Sequence, residues 1–183
     1  MSVTVNVIGA GLAGCEAAWR LAQEGINVRL YEMKPEKFSP AHKYGGFAEL
    51  VCSNSLKAAR LESAAGLLKY EMEHLGSLTV PCAKENSVEA GGALAVDREK
   101  FSDCVTEKIR SHPLIEVVGG EVTALPDGIV IIATGPLTSG AMADTIKQLC
   151  GEGLSFYDAA APIVTYESLD LDKVFFASRY DRG

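Results

Sequence analysis

Three sets of residues in this 183-residue chain are placed to do chemistry. The first is Gly9-Ala10-Gly11-Leu12-Ala13-Gly14, set between the apolar run Val3 to Ile8 and a segment rich in Ala and Leu. In that setting Gly9 permits a tight turn out of a strand. Gly11 lets the backbone approach a pyrophosphate, and Gly14 lets a helix pack closely on the strand. The helix N-terminus adds free amides and a dipole that favours an anion. The second is Glu32, eighteen residues past Gly14, where a carboxylate can accept hydrogen bonds from ribose hydroxyls. The third is Cys52, in Cys52-Ser53-Asn54-Ser55-Leu56-Lys57. A lone cysteine is commonly inert packing. Here it ends a long irregular loop, beside an expected helix start and near Lys57, features that would favour the thiolate. Packing and chemistry both stay open for it.

The elements that must position these residues follow from periodicity. Val3 to Ile8 reads as a strand, Leu12 to Gln23 as a helix stopping near Gly25, and Asn27 to Tyr31 as a second strand. That order is a βαβ crossover, which makes parallel sheet. Met33 to Ser55 has no period and carries Pro35, Pro40, Gly45 and Gly46; a loop of that length is commonly functional. A helix is expected over Glu62 to Leu75, with Leu67, Leu68, Met72 and Leu75 at core spacing, then irregular chain from Pro81 through Gly91 and Gly92. Asp97 is expected to N-cap a helix to about Ser111 that buries Phe101, Cys104, Val105 and Ile109. Strands are expected at Ile115 to Val118, Glu121 to Leu125 and Gly128 to Thr134, the last the most apolar and central. A helix over Ser139 to Leu149 and strands at Ile163 to Tyr166 and Val174 to Ala177 complete the expectation of an α/β chain.

Composition bounds the partners. With 17 basic and 24 acidic residues the net charge is −7, which argues against a broad phosphate-gripping face. The five cysteines stand singly, as expected of a reduced cytoplasmic protein; Cys15 and Cys104 read as packing, and Cys82 and Cys150 carry no signal. His42, His74 and His112 are dispersed, so no metal site is expected. No apolar run reaches membrane-spanning length, and the start reads as a strand rather than a signal peptide.

Ala133-Thr134-Gly135 reads either as an ordinary strand stop or as the ending common in flavoproteins, where backbone passes close to the cofactor. With the glycine fingerprint it favours FAD as the dinucleotide. Longer strings carry a resemblance. GAGLAGCEAAWRLA at Gly9 to Ala22, Glu32-Met33-Lys34-Pro35, FAELVCSNSLKA at Phe47 to Ala58 and ATGPLTS at Ala133 to Ser139 resemble the folate- and FAD-dependent tRNA uracil-5-methyltransferases. The glycine portion is shared with the tRNA uridine carboxymethylaminomethyl-modification flavoproteins, whereas VCSNSLK and GPLTS match the methyltransferase branch.

The resemblance implies a Rossmann-like FAD-binding domain with a parallel central sheet, the front half of a two-part FAD fold. It implies FAD-binding domain over 1–177, with 178–183 starting an inserted domain that family members carry further on. It implies transfer and reduction of a one-carbon unit from methylenetetrahydrofolate to C5 of a T-loop uridine, with NAD(P)H as hydride source and tRNA as substrate. Cofactor contacts would come from Gly9, Ala10, Gly11, Leu12, Ala13, Gly14, Glu32, Lys34, Asn54, Ser55, Leu56, Val122, Thr134 and Gly135. Cys52 would be an active-site thiol, guarding the flavin or holding an adduct; which cysteine attacks uracil stays open. Competing readings are the carboxymethylaminomethyl relative, a generic NAD(P)H:flavin oxidoreductase, and a non-catalytic FAD-binding fragment. The tRNA surface is expected mostly elsewhere; Lys34, Lys37, Lys43, Lys57 and Arg60 read better as a solvated loop than as a local contribution.

Overall fold

A computed structural model describes residues 3–151 and 166–174. In chain order the elements are β1 (Thr4–Ile8), α1 (Leu12–Gln23), β2 (Asn27–Glu32), β3 (Ser55–Ala58), α2 (Ala64–His74) and α3 (Thr79–Glu85). They continue with β4 (Ser87–Val88), β5 (Ala93–Val96), α4 (Arg98–Ser111), β6 (Ile115–Gly119), β7 (Ile129–Ile132) and α5 (Gly140–Cys150). A single 3₁₀ turn occupies Tyr166–Ser168.

The main sheet is parallel, in the order β6-β2-β1-β7. β1 pairs with β2 from Thr4↔Asn27 to Ile8↔Tyr31, and with β7 from Val5↔Ile129 to Ile8↔Ile132. β6 joins the far side of β2. The chain thus builds outward from β1 in one direction, then returns to add β7 on its other side. Such a reversal opens a crevice at the carboxyl ends of the strands, here of β1 and β7. This is the Rossmann-like arrangement that the βαβ spacing predicts.

The core follows from side-chain pattern. Val5, Val7, Val28 and Leu30 are buried, as strands covered on both faces require. α1 presents Gly14, Cys15, Ala18 and Ala22, a stripe of small side chains that allows close approach to the strands. α4 presents Phe101, Val105 and Ile109, spaced at whole turns, and Asp97 caps it by accepting from the Lys100 amide at 3.2 Å. A second sheet, antiparallel and ordered β3-β5-β4, stands beside the first with α2 and α3.

Several expectations are corrected. Leu67, Leu68 and Leu75 are 45%, 56% and 70% exposed, because α2 seats itself through Gly66 against the Arg60 carbonyl and turns its leucines outward. Glu121 to Leu125 forms no strand. β7 is an edge strand among the described residues, with Ile129 57% exposed; an apolar run signals a need for cover, not a place in strand order. Pro81 lies in the first turn of α3, where its missing N–H costs nothing, so chain expected to be irregular is helical. β3, β4 and β5 are too short to show a period. The expected strands at Ile163 to Tyr166 and Val174 to Ala177 fall largely outside the described residues; Tyr166 itself starts the 3₁₀ turn.

Candidate dinucleotide-binding site

The crevice at the ends of β1 and β7 is a cleft of about 350 Å³. Three glycines build its floor, each for a different reason. Gly9 leaves β1 with φ +99° and donates its amide to the Tyr31 carbonyl at 2.8 Å. A Cβ there would stand 2.7 Å from the Ala133 carbonyl oxygen, so both conformation and space require glycine. At Gly14 a Cβ would lie 1.8 Å from the Gly9 carbonyl oxygen, which is how closely α1 rides on the turn. Gly11 is different: its φ is −73°, and a Cβ would meet nothing within 4 Å. No protein atom demands glycine at that position. The space a side chain would occupy opens onto the cleft, beside Leu12 and Ala13, which also line it.

The first α1 amide with an intrahelical partner is that of Cys15, donating to the Gly11 carbonyl at 3.0 Å. The amides of Leu12, Ala13 and Gly14 precede it, and neither a side-chain cap nor an acidic residue occupies this first turn. An anion therefore meets free donors and the positive end of the helix dipole.

Glu32 is buried at the end of β2 and faces the same cleft. One carboxylate oxygen accepts from the Ala10 amide at 2.8 Å, the other from the Lys34 amide at 2.9 Å. A carboxylate oxygen takes more than one donor, so both keep capacity for hydroxyls. Across the cleft, Thr138 Oγ1 donates to the Gly135 carbonyl at 2.8 Å and accepts from Thr134 Oγ1 at 2.6 Å, bracing the turn after β7. Gly135 has φ +70°, and Val122 completes that wall.

Of the expected cofactor contacts, Gly9 to Ala13, Glu32, Lys34, Val122, Thr134 and Gly135 come together around this cleft, with Gly14 packed beneath. Asn54, Ser55 and Leu56 do not line it. The Asn54 carbonyl accepts from Val96 and Ser55 pairs with Ala95, so this stretch belongs to the second sheet. Cys52 is exposed and lines a separate, open hollow with Ser53, Asn54, Val96 and Arg98, although its neighbour Val51 lines the cleft. The segment after Cys52 enters a strand, β3, so the expected helix start, and with it the helix contribution to the thiolate, is absent. Lys34 is buried, not part of a solvated loop, and Lys37 is paired with Glu121 at 2.6 Å.

Two of the remaining thiols, Cys15 and Cys82, are buried and held protonated. Burial, then the nearby carboxylates of Glu32 and Glu16, pushes the Cys15 thiol far up, and its Sγ donates to the Ala10 carbonyl at 3.4 Å. Burial and a hydrogen bond with Cys104 push Cys82 up to about 12. Ser39, His42 and Glu49 also line the cleft and escape sequence reasoning. They sit in the aperiodic loop, and their only advance signal is that this loop is long without being low in complexity. No group of three metal-ligating side chains occurs among the described residues, and no described helix is long and apolar enough to cross a membrane.

Residues 4–183 match the family model described as "Glucose inhibited division protein A". The chain is 63% identical over 182 residues to the methylenetetrahydrofolate–tRNA-(uracil-5-)-methyltransferase TrmFO of Pelotomaculum thermopropionicum, covering 98% of this chain and 42% of that protein. It is 61% identical over 184 residues to TrmFO of Bacillus licheniformis, again over 42% of that protein. The chain thus spans less than half the length of these curated relatives. Among solved structures, p-nitrophenol 4-monooxygenase PnpA from Pseudomonas putida DLL-E4 aligns at 14% identity and a TM-score of 0.41, over 70% of this chain and 34% of that one, a likeness too slight to carry an argument. With its family model matched from the first strand to the last residue, the chain belongs to the Glucose inhibited division protein A family.

Proposed function

We propose that this chain is the FAD-binding front portion of a folate-dependent tRNA uracil-5-methyltransferase. The observation that carries the dinucleotide half is Gly11: a glycine that no protein atom requires, opening beside free helix amides onto the cleft that Glu32 also lines. The methyltransferase half is supported by relatives at 58–63% identity that bear that name. Bound FAD, reduced by NAD(P)H, would supply the electrons that convert a transferred methylene group to methyl.

The chain's own residues do the holding. The Leu12 and Ala13 amides would take the pyrophosphate, Glu32 the ribose hydroxyls, and the braced Thr134–Gly135 turn the far side of the dinucleotide. Ala10, Gly11, Val122 and Lys34 border that path. Cys52 stands one residue past the cleft wall, exposed and able to react, which suits an active-site thiol serving a neighbouring chamber. Contacts to tRNA would lie mainly outside this portion: Lys34 is buried, and Lys37 is already ion-paired.

The test is methylenetetrahydrofolate-dependent formation of 5-methyluridine in tRNA by a full-length protein carrying this segment, with and without Cys52→Ala. Product formed by the parent supports the reading. A flavin-loaded protein that makes none, or that makes a carboxymethylaminomethyl product, would overturn it.

A further inference from the structure

The loop between β2 and β3 forms one wall of the cleft without a helix or strand of its own. α4 holds its Phe47, whose amide donates to Thr106 Oγ1 at 2.8 Å and whose carbonyl accepts from Ser102 Oγ at 2.5 Å, while the part nearest the glycine turn is held otherwise. At its centre is a buried ion pair. Lys34 Nζ stands 3.4 Å from a Glu49 carboxylate oxygen, with side chains only 5% and 11% exposed. The same ammonium donates to the carbonyl oxygens of Tyr44 at 3.2 Å and Gly46 at 2.5 Å. An ammonium has three N–H donors, and three acceptors already take them. The second Glu49 oxygen accepts the amides of Lys43 at 2.9 Å and Tyr44 at 3.1 Å. Burial pushes the Glu49 carboxyl up, but those amides and the Lys34 ammonium outweigh it and leave the carboxyl below its ordinary value.

This knot is tied to the glycine turn twice. The Ala48 amide donates to the Ala10 carbonyl at 2.9 Å, while the Lys34 amide shares the Glu32 carboxylate with the Ala10 amide. Loop, Glu32 and turn therefore close a ring of hydrogen bonds around the place where a pyrophosphate would rest.

We propose that Lys34 and Glu49 are positioning residues of the dinucleotide site, a buried clasp that seats the loop on the glycine turn, and that Lys34 is not a phosphate ligand. Its role at the site rests on the dinucleotide reading; the clasp itself does not. Removing either partner leaves the other charge buried and uncompensated, so the 34–46 stretch loosens from the glycine turn while Phe47 stays on α4.

The experiment uses the whole chain with Lys34→Met, Glu49→Ala, Glu49→Gln and the double variant Lys34→Met/Glu49→Gln. The first readout needs no cofactor: trypsin cleavage after Lys37 and Lys43, both exposed on the loop. The second is the Kd for FAD. Lys34→Met and Glu49→Ala should each raise cleavage rate and Kd by about tenfold or more, as expected for half of a buried pair. Glu49→Gln, whose amide oxygen still accepts the two backbone amides, should fall closer to the parent. The double variant, with both charges gone, should be no worse than Lys34→Met. Lys34→Met raising Kd with cleavage unchanged, while the Glu49 variants keep parental affinity, would make Lys34 a direct ligand and overturn the clasp. Unchanged cleavage in every variant would overturn it too. A parent chain without FAD affinity would instead overturn the dinucleotide reading, and the cleavage rates would still decide the clasp.

Discussion

Substituting alanine for Gly11 and for Gly14 should separate binding from folding, because the two positions differ in what a methyl group meets. At Gly14 the new Cβ lies 1.8 Å from the Gly9 carbonyl oxygen and 3.3 Å from the Ala133 side chain. A backbone atom cannot swing aside, so α1 or the turn must shift, at a cost of about 3 kcal/mol, the upper end of ordinary overpacking. For a chain of this size each kcal/mol lowers Tm by roughly 2–4 °C, so Gly14→Ala should lose about 6–12 °C. At Gly11 the φ of −73° suits alanine and the methyl meets nothing within 4 Å. The gain from a stiffer unfolded chain, about 0.4–1 kcal/mol, is offset by alanine's poorer N-capping, leaving Tm within about 2 °C of the parent. The same methyl stands where the pyrophosphate must approach the helix amides, so FAD affinity should fall by about 1–3 kcal/mol, roughly five- to 150-fold. Thermal unfolding by circular dichroism and FAD titration on the same samples supply both numbers. Gly11→Ala binding FAD as well as the parent, or losing as much Tm as Gly14→Ala, would mean that the space at Gly11 is not kept for a pyrophosphate.

Glu32→Gln replaces one acceptor oxygen by an amide NH₂ that faces a backbone N–H, so a fall of about 1–3 kcal/mol in stability and weaker FAD binding should appear in unfolding and titration curves. Alkylation with iodoacetamide under native conditions should modify the exposed Cys52 and Cys150 and spare the buried Cys15 and Cys82, as read by peptide mass spectrometry; early labelling of Cys82 would contradict its burial. Because Cys82 holds its proton up to about 12, the folded state binds more protons than the unfolded state above the ordinary thiol range near 9. Stability should therefore be undiminished by this group below pH 9. It should fall as pH rises from 9 towards 12, by at most about 1.4 kcal/mol per pH unit. Denaturant midpoints measured across that range check the sign, and Cys82→Ala should flatten the slope. Leu30→Ala, which empties a fully buried position in β2, should cost about 2–5 kcal/mol.

What the sequence makes legible is whatever depends on local chemistry. β1, α1 and β2 are marked by β-branched runs and a glycine stop, and the fingerprint glycines carry spacing that few other structures need. Asp97 and the Phe101–Ile109 stripe mark α4 equally well. What is illegible depends on partners far along the chain. The exposed leucines of α2 have core spacing, but Gly66 is what seats that helix, and no pattern announces which side a peripheral helix will bury. β3 covers four residues and β4 two, too few for alternation to register. Glu49 has no neighbour in sequence that hints at Lys34, fifteen positions away through aperiodic chain. Cys52 shows the limit most plainly. Its loop setting suggests a helix that would activate the thiol, whereas the fold supplies a strand and a separate hollow. The chemical role proposed for it therefore rests on exposure and on its place beside Val51.

Whether the crevice between β1 and β7 holds FAD can be read from backbone amide resonances of the chain as FAD is added. Saturable shifts concentrated at Gly11 to Ala13, at Glu32 and at Thr134–Gly135 are expected. Shifts confined to the hollow around Cys52 and Arg98, or a folded chain whose amides ignore FAD altogether, would contradict FAD binding in that crevice.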